Sequence, residues 1–138
     1  MLKLISLTES SEWDATVRSF AKHDVYYLSG YVKAFHIHGD GDPYLLYYED
    51  NGLRAIYVYM RRKTTLEGVF DSVTPYGYGG VLFEGDTSEA NLQAFWSAYL
   101  EKMAEEHIVD NFVRYHPVLK NAVPMKTVSN VIDLGKTV

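Results

Sequence analysis

The chain has 138 residues, no cysteine and a formal net charge of −5, with 47% hydrophobic and 22% charged residues. That size fits one domain able to bury a core, and the lack of cysteine excludes disulfides, thiolate metal sites and a cysteine nucleophile, in keeping with a cytoplasmic setting. Basic residues form no stripe, the densest cluster being Arg61-Arg62-Lys63, and no window is long enough to span a membrane, so neither independent nucleic-acid binding nor a membrane span is expected.

Leu2 to Leu7 alternates apolar and polar and predicts a first strand. Ser11 and Asp14 are spaced as a capping pair for a helix carrying Trp13, Val17 and Phe20 on one face. His23 to Leu28 reads as a short extended link. Ser29 is the expected cap of a second helix, with Tyr31, Ala34, Phe35 and His38 sharing a face. Gly39 to Pro43 turns the chain and lacks the ligand spacing of a calcium loop.

Tyr44 to Glu49 and Leu53 to Met60 predict a hairpin around Asp50-Asn51-Gly52, because Asn-Gly favours the positive φ of a tight turn. Leu53 to Met60 is apolar on both parities except at Arg54, so both faces of that strand are expected to be covered. Val69 to Val73 predicts the next strand. Thr74-Pro75-Tyr76-Gly77-Tyr78-Gly79-Gly80 then breaks the pattern. Val81-Leu82-Phe83 follows as a short apolar segment. Asp86 and Glu89 resemble a capping box for a long helix, with Leu92, Phe95, Trp96, Tyr99, Leu100 and Met103 as its stripe. Ile108 to Tyr115 and Thr127 to Leu134 predict two more strands. Gly135 to Val138 is read as lying in or just past the last one. The order is β, α, α, β, β, β, α, β, β. It implies a single α/β (α+β) domain over residues 1–138, a mixed sheet with helices packed on it.

The Gly-rich stretch is not a phosphate cradle. No Gly-Lys-Ser/Thr follows it, and Leu82 stands where a dinucleotide fingerprint needs glycine. Proline, glycine and tyrosine offer backbone donors and ring faces, which suit a sugar or peptide-like acceptor. The competing reading is a tight connection whose tyrosines pack. Twelve tyrosines against six phenylalanines suit cleft walls and plain strand packing alike. Asp71, three residues before the loop, is costly in an apolar strand unless paired. Arg61 on the neighbouring strand is its candidate partner, for orienting an acceptor or for a structural ion pair. His23-Asp24 and His116 are possible acids or bases, with solvated or capping roles as the plainer reading. No His-Glu-x-x-His spacing is present, and no metal is expected.

Several blocks resemble the N-terminal half of Fem-like proteins in the GNAT acyltransferase superfamily. They are Trp13, Asp24-Val25-Tyr26-Tyr27-Leu28 with Tyr31, Phe70 to Gly80, Arg114-Tyr115-His116-Pro117-Val118-Leu119-Lys120-Asn121, and Val131-Ile132-Asp133-Leu134. The resemblance implies a GNAT-like, largely antiparallel sheet, and a chain that is the N-terminal lobe of a longer two-lobe protein. It implies transfer from acyl-CoA or aminoacyl-tRNA to a peptidoglycan or other cell-wall acceptor. The donor loop of ordinary acetyltransferases, Gln/Arg-x-x-Gly-x-Gly/Ala, is absent, so donor binding is not expected of this chain alone. The expected acceptor wall is Tyr76, Gly77, Tyr78 and Gly79, with Asp71 and Arg61 behind it and no catalytic base assigned. Its partners would be a missing C-terminal lobe or a second copy of the chain. The alternative is a non-catalytic binding or dimerisation domain that uses the aromatic loop and an open edge at the last strand.

Overall fold

The computed structural model describes residues 1–135. The elements in order are β1 (Leu2–Ser6), α1 (Ser10–Arg18), α2 (Ser29–His38), β2 (Asp42–Asp50), β3 (Leu53–Lys63), β4 (Phe70–Val73), β5 (Leu82–Gly85), α3 (Glu89–Glu105), β6 (Ile108–Phe112) and the single turn α4 (Ala122–Met125). They form a mixed α/β domain around one open sheet ordered β1-β2-β3-β4-β6, with β5 also paired to β3. Every pairing is antiparallel except β4 with β6, which α3 connects as a parallel crossover.

The β2–β3 hairpin turns at Asn51 (φ 47°) and Gly52 (φ 78°), the paired positive angles that Asn-Gly accommodates. In β3 every residue from Leu53 to Met60 is buried except Arg54, which is half-buried. Side chains alternate across a strand, so β3 supplies two cores. Leu53, Ala55, Tyr57 and Tyr59 pack with Phe95, Tyr99 and Met103 of α3. Ile56, Val58 and Met60 pack with Trp13, Val17 and Val32 of α1 and α2.

Several local expectations give way to tertiary partners. The capping box lies one turn earlier, on a 3-10 turn over Leu7–Glu9 that leads into α1, where the Ser6 N–H donates to Glu9 Oε2 at 3.0 Å. Asp14, expected to cap its own helix, accepts from the Ser29 N–H at 2.8 Å and so caps α2. Ser29 is therefore the first residue of α2, with Leu28 as the cap position. The expected extended link holds a 3-10 turn over Val25–Tyr27, capped by Asp24. Asp86 serves the start of α3 through the Ser88 N–H and the Asn91 amide rather than through Glu89.

The strand expected over Thr127 to Leu134 does not form, and with it goes the expected open edge there. The N–H groups of Val128 and Ser129 both donate to the Met125 carbonyl, which winds the chain into a turn. Ile132 and Leu134 are then left exposed. An alternating pattern needs a neighbouring strand to become one, and this segment meets none. Residues 136–138, read as the end of that strand or just past it, lie outside the described residues.

Candidate functional site

The Gly-rich loop is an excursion from a single interrupted strand. Along β3, Met60 pairs with Val73 of β4 and Ile56 pairs with Leu82 of β5. Eight residues, 74–81, thus stand opposite only three, 57–59. The surplus leaves the sheet as the Thr74–Val81 loop, and the chain just past β6 runs beside it through a bridge between Gly79 and Tyr115.

This loop is tied from four sides. Tyr27 Oη donates to the Gly80 carbonyl at 3.0 Å and Tyr31 Oη to the Tyr76 carbonyl at 2.7 Å. The Gly79 N–H donates to the Arg114 carbonyl at 2.8 Å. The buried Asn121 amide donates to the Gly79 carbonyl at 2.8 Å and to Tyr27 Oη at 3.2 Å, and its oxygen accepts from the His116 N–H at 2.9 Å. Burial holds the Tyr27 phenol far above the usual tyrosine range, with Asp24 adding to the shift.

The glycines serve this packing. A Cβ on Gly77 (φ 97°) would stand 2.5 Å from the Tyr26 ring, and one on Gly80 (φ 96°) would stand 2.6 Å from the Tyr115 ring. A Cβ on Gly79 would stand 2.9 Å from Thr74 Cγ2. The space left by the missing side chains is filled by the protein's own residues. Tyr78 is half-buried between Tyr26 and His116, with ring centroids at 6.0 and 5.7 Å. Only Tyr76 faces solvent, 73% exposed and stacked on Phe35 at 5.7 Å.

Beside Tyr76 lies a cleft of about 380 Å³ lined by Gly39, Asp40, Met60, Arg62, Val73 and Thr74. Arg62 reaches it already engaged. Its Nε and Nη2 each donate to Asp71 at 2.8 Å in a two-pronged pair. This hydrogen bonding holds the Asp71 carboxyl below its usual range and raises Arg62. The expected pairing of Asp71 with Arg61 is therefore wrong by one residue. Arg62 lies directly opposite Asp71 in the β3–β4 register, whereas Arg61 lies opposite Ser72. Neighbouring strand residues face opposite sides, so Arg61 points to the α3 side. There it pairs with Glu106 at 3.2 Å and lies over the Phe70 ring at 4.5 Å. Of the residues singled out from sequence, Asp71 and Tyr76 share the cleft side of the sheet, Tyr78 backs the loop, Gly77 and Gly79 shape it, and Arg61 is remote.

His116 and Asp24, 92 residues apart in the chain, meet beneath the tyrosines with Nε2 and Oδ2 at 3.1 Å. The His116 Nδ1 accepts from the N–H groups of Val118 and Leu119, both at 3.2 Å. Two donors aimed at Nδ1 leave the proton on Nε2, which donates to Asp24. Both nitrogens are engaged and the ring is buried, so this pair clamps the Pro117–Asn121 turn to the start of the 3-10 turn. It offers no free lone pair for proton abstraction. The pairing itself was not legible in the sequence, although both residues stood out there.

A larger groove of about 830 Å³ lies on the α3 side of β6 and includes Trp96, Leu100, Val113 and Leu134 in its lining. Its floor is a closed polar network. Asn111 Oδ1 accepts from Tyr57 Oη at 2.8 Å and from Ser72 Oγ at 2.9 Å, while its amide donates to Tyr99 Oη. Among the described residues no cluster of three or more His, Cys, Asp or Glu side chains is placed to hold a metal ion, and no helix is long and apolar enough to cross a membrane. In comparisons with known proteins, no family model, no curated protein and no solved structure matches the chain.

Proposed function

We propose that the chain is the acceptor-side lobe of a cytoplasmic N-acyltransferase or aminoacyltransferase acting on a cell-envelope sugar or peptide. The observation that carries this reading is the convergence of the blocks that resemble Fem-like proteins. Asp24 to Leu28, Phe70 to Gly80 and Arg114 to Asn121 are far apart in sequence, yet they are joined by the Tyr27, Asn121 and His116–Asp24 hydrogen bonds. The parallel β4–β6 pair with α3 crossing between them, in an otherwise antiparallel sheet, supports a GNAT-like lobe.

In this reading the cleft beside Tyr76 holds the acceptor. The exposed ring offers a face for a sugar or peptide plane. Arg62, fixed by Asp71, offers a guanidinium of set orientation, and Asp40 offers a carboxylate that attracts an acceptor ammonium. Transfer is direct. The acceptor amine or hydroxyl forms the new bond to the acyl carbon, the thioester or ester bond to the donor breaks, and the acceptor proton leaves to a base outside this chain. The donor, acyl-CoA or aminoacyl-tRNA, is held by a partner lobe.

The test is a titration of isotopically labelled protein with N-acetylglucosamine and with a short muropeptide. Amide shifts clustered at Gly39, Asp40, Arg62 and Tyr76 are expected, and Tyr76→Ala weakens binding by roughly tenfold, the loss of one aromatic contact. No shifts with either acceptor at millimolar concentration, alone or beside a donor-binding lobe, would overturn the reading.

A further inference from the structure

One of the two terminal strands of the sheet, β6, has an unused side. Among the described residues β6 pairs with β4, and the chain just past it meets the loop through the Gly79–Tyr115 bridge. The Phe112 carbonyl accepts from the Thr74 N–H at 3.1 Å, and the Arg114 carbonyl accepts from the Gly79 N–H at 2.8 Å. The Arg114 N–H donates to Thr74 Oγ1 at 3.2 Å. The main-chain groups of Phe112 and Arg114 thus face inward. By alternation those of Asn111 and Val113 face outward. Among the described residues no main-chain group of another element reaches them, and the Asn111 N–H is met only by the adjacent Asp110 carboxylate at 2.9 Å.

The flanks of this edge are apolar. Val109 is 72% and Phe112 62% exposed, and Leu100, Ile132 and Leu134 are exposed beside them. β6 is short, Ile108–Phe112, and carries Asp110 and Asn111 within it, but its unpaired main-chain groups and exposed apolar side chains still offer a template for another strand.

We propose that β6 joins β6 of a second copy of this chain, antiparallel about a two-fold axis at Phe112, so that one sheet runs through both protomers. The charge pattern selects this occupant and this register. With the axis at Phe112, the outward-facing Asn111 lies opposite Val113 of the second copy and exchanges both main-chain hydrogen bonds with it. Asp110 then lies opposite Arg114, twice by symmetry. Side chains at 110, 112 and 114 share one face of the strand, while Asn111 and Val113 turn to the α3 side, where Asn111 meets Tyr57 and Tyr99. Moving the axis to Asn111 sets Asp110 against Phe112. Moving it to Val113 sets Arg114 against Phe112. Only the Phe112 register matches carboxylate to guanidinium and ring to ring, the pairs that stabilise neighbouring strands. A two-fold contact between like edges also closes on itself, so β6 is used up in the dimer and the sheet then ends at β1 of each protomer. The inference stands on β6 alone and is independent of the acyltransferase reading.

Sedimentation equilibrium on the purified 138-residue chain, from low-micromolar to near-millimolar concentration, tests it. A monomer–dimer equilibrium is expected. Arg114→Asp sets two acidic pairs across the axis and Asp110→Arg sets two basic ones, so each variant alone dimerises about tenfold or more weakly. An equimolar mixture of the two variants restores the dimer, because each mixed pair is Asp against Arg. Val113→Pro removes an outward N–H without touching the β4 ladder and is expected to weaken the dimer with the monomer still folded by circular dichroism. A chain that stays monomeric throughout would overturn the proposal. So would a dimer indifferent to all three substitutions, or charge variants that fail to recombine on mixing.

Discussion

The Thr74–Val81 loop and the strand β6 lie side by side, but one is finished and the other is not. The loop is irregular in backbone, yet its carbonyls at Tyr76, Gly79 and Gly80 meet Tyr31, Asn121 and Tyr27. β6 keeps a strand's ladder with β4 apart from one register shift, yet among the described residues its other side has no partner strand. Regularity is therefore a poor guide to completeness. An excursion that returns to its own strand can be tied by side chains from α2, the 3-10 turn and the residues after β6. A terminal strand can be completed only by another backbone.

The largest expected effect breaks both regions together. Tyr27 beneath the loop, Tyr57 and Tyr99 beneath β6, and Tyr59 between them all have phenols raised by burial. A folded value above the unfolded one gives stability that is complete below the unfolded value and lost as pH rises beyond it. Stability should hold below pH ~10 and then fall by roughly 1.4 kcal/mol per pH unit for each such phenol. Urea unfolding followed across alkaline pH measures this, and stability that stays flat there would contradict the burial.

Gly80→Ala separates the two regions. It forces a side chain into a left-handed conformation against Tyr115 and Asn121. About 3 kcal/mol should be lost, from backbone strain and overpacking together. Denaturant midpoints measure the loss, and a cost well under half of that would mean the loop has room to shift.

Arg62→Ala removes the partner of Asp71 at the cleft. Both groups are partly exposed, so the stability cost is only about 0.5–1 kcal/mol after solvent screening. The Asp71 carboxyl is lowered by Arg62, so its contribution is present above the unfolded value near pH ~4 and disappears as pH falls through the folded one. In the variant that acid dependence should vanish, whereas Arg61→Ala should retain it. Carboxyl titration by nuclear magnetic resonance distinguishes the two arginines.

Phe112→Ser is the smallest change for the monomer. The ring is mostly exposed, and less than about 0.5 kcal/mol of monomer stability should be lost. The same substitution should weaken the proposed dimer, so monomer unfolding and sedimentation should disagree in the direction opposite to Gly80→Ala.

Much of the scaffold was legible from local chemistry. Asn51-Gly52 announced the hairpin, the unbroken apolar run of β3 announced a central strand, and the stripe from Leu92 to Met103 announced α3. The misreadings share a cause. Asp14 has the spacing to cap its own helix but caps the next one, and Thr127 to Leu134 alternates like a strand but finds none to join among the described residues. Each has two physically reasonable partners, and proximity in space chose between them.

The same holds at the candidate site. Tyrosine, glycine and proline in seven residues marked the loop, and the lack of Gly-Lys-Ser/Thr removed its phosphate reading. Those conclusions need only residue identity and spacing. The sequence alone also required that adjacent arginines on one strand face opposite ways. It did not say which of them met Asp71, because that depends on the register between β3 and β4. Nor could it say that Gly77 and Gly80 make room for Tyr26 and Tyr115, or that His116 reaches Asp24. Identity and spacing act along the chain, while register and packing act across it, and the cleft beside Tyr76 and the open side of β6 are both products of the second kind.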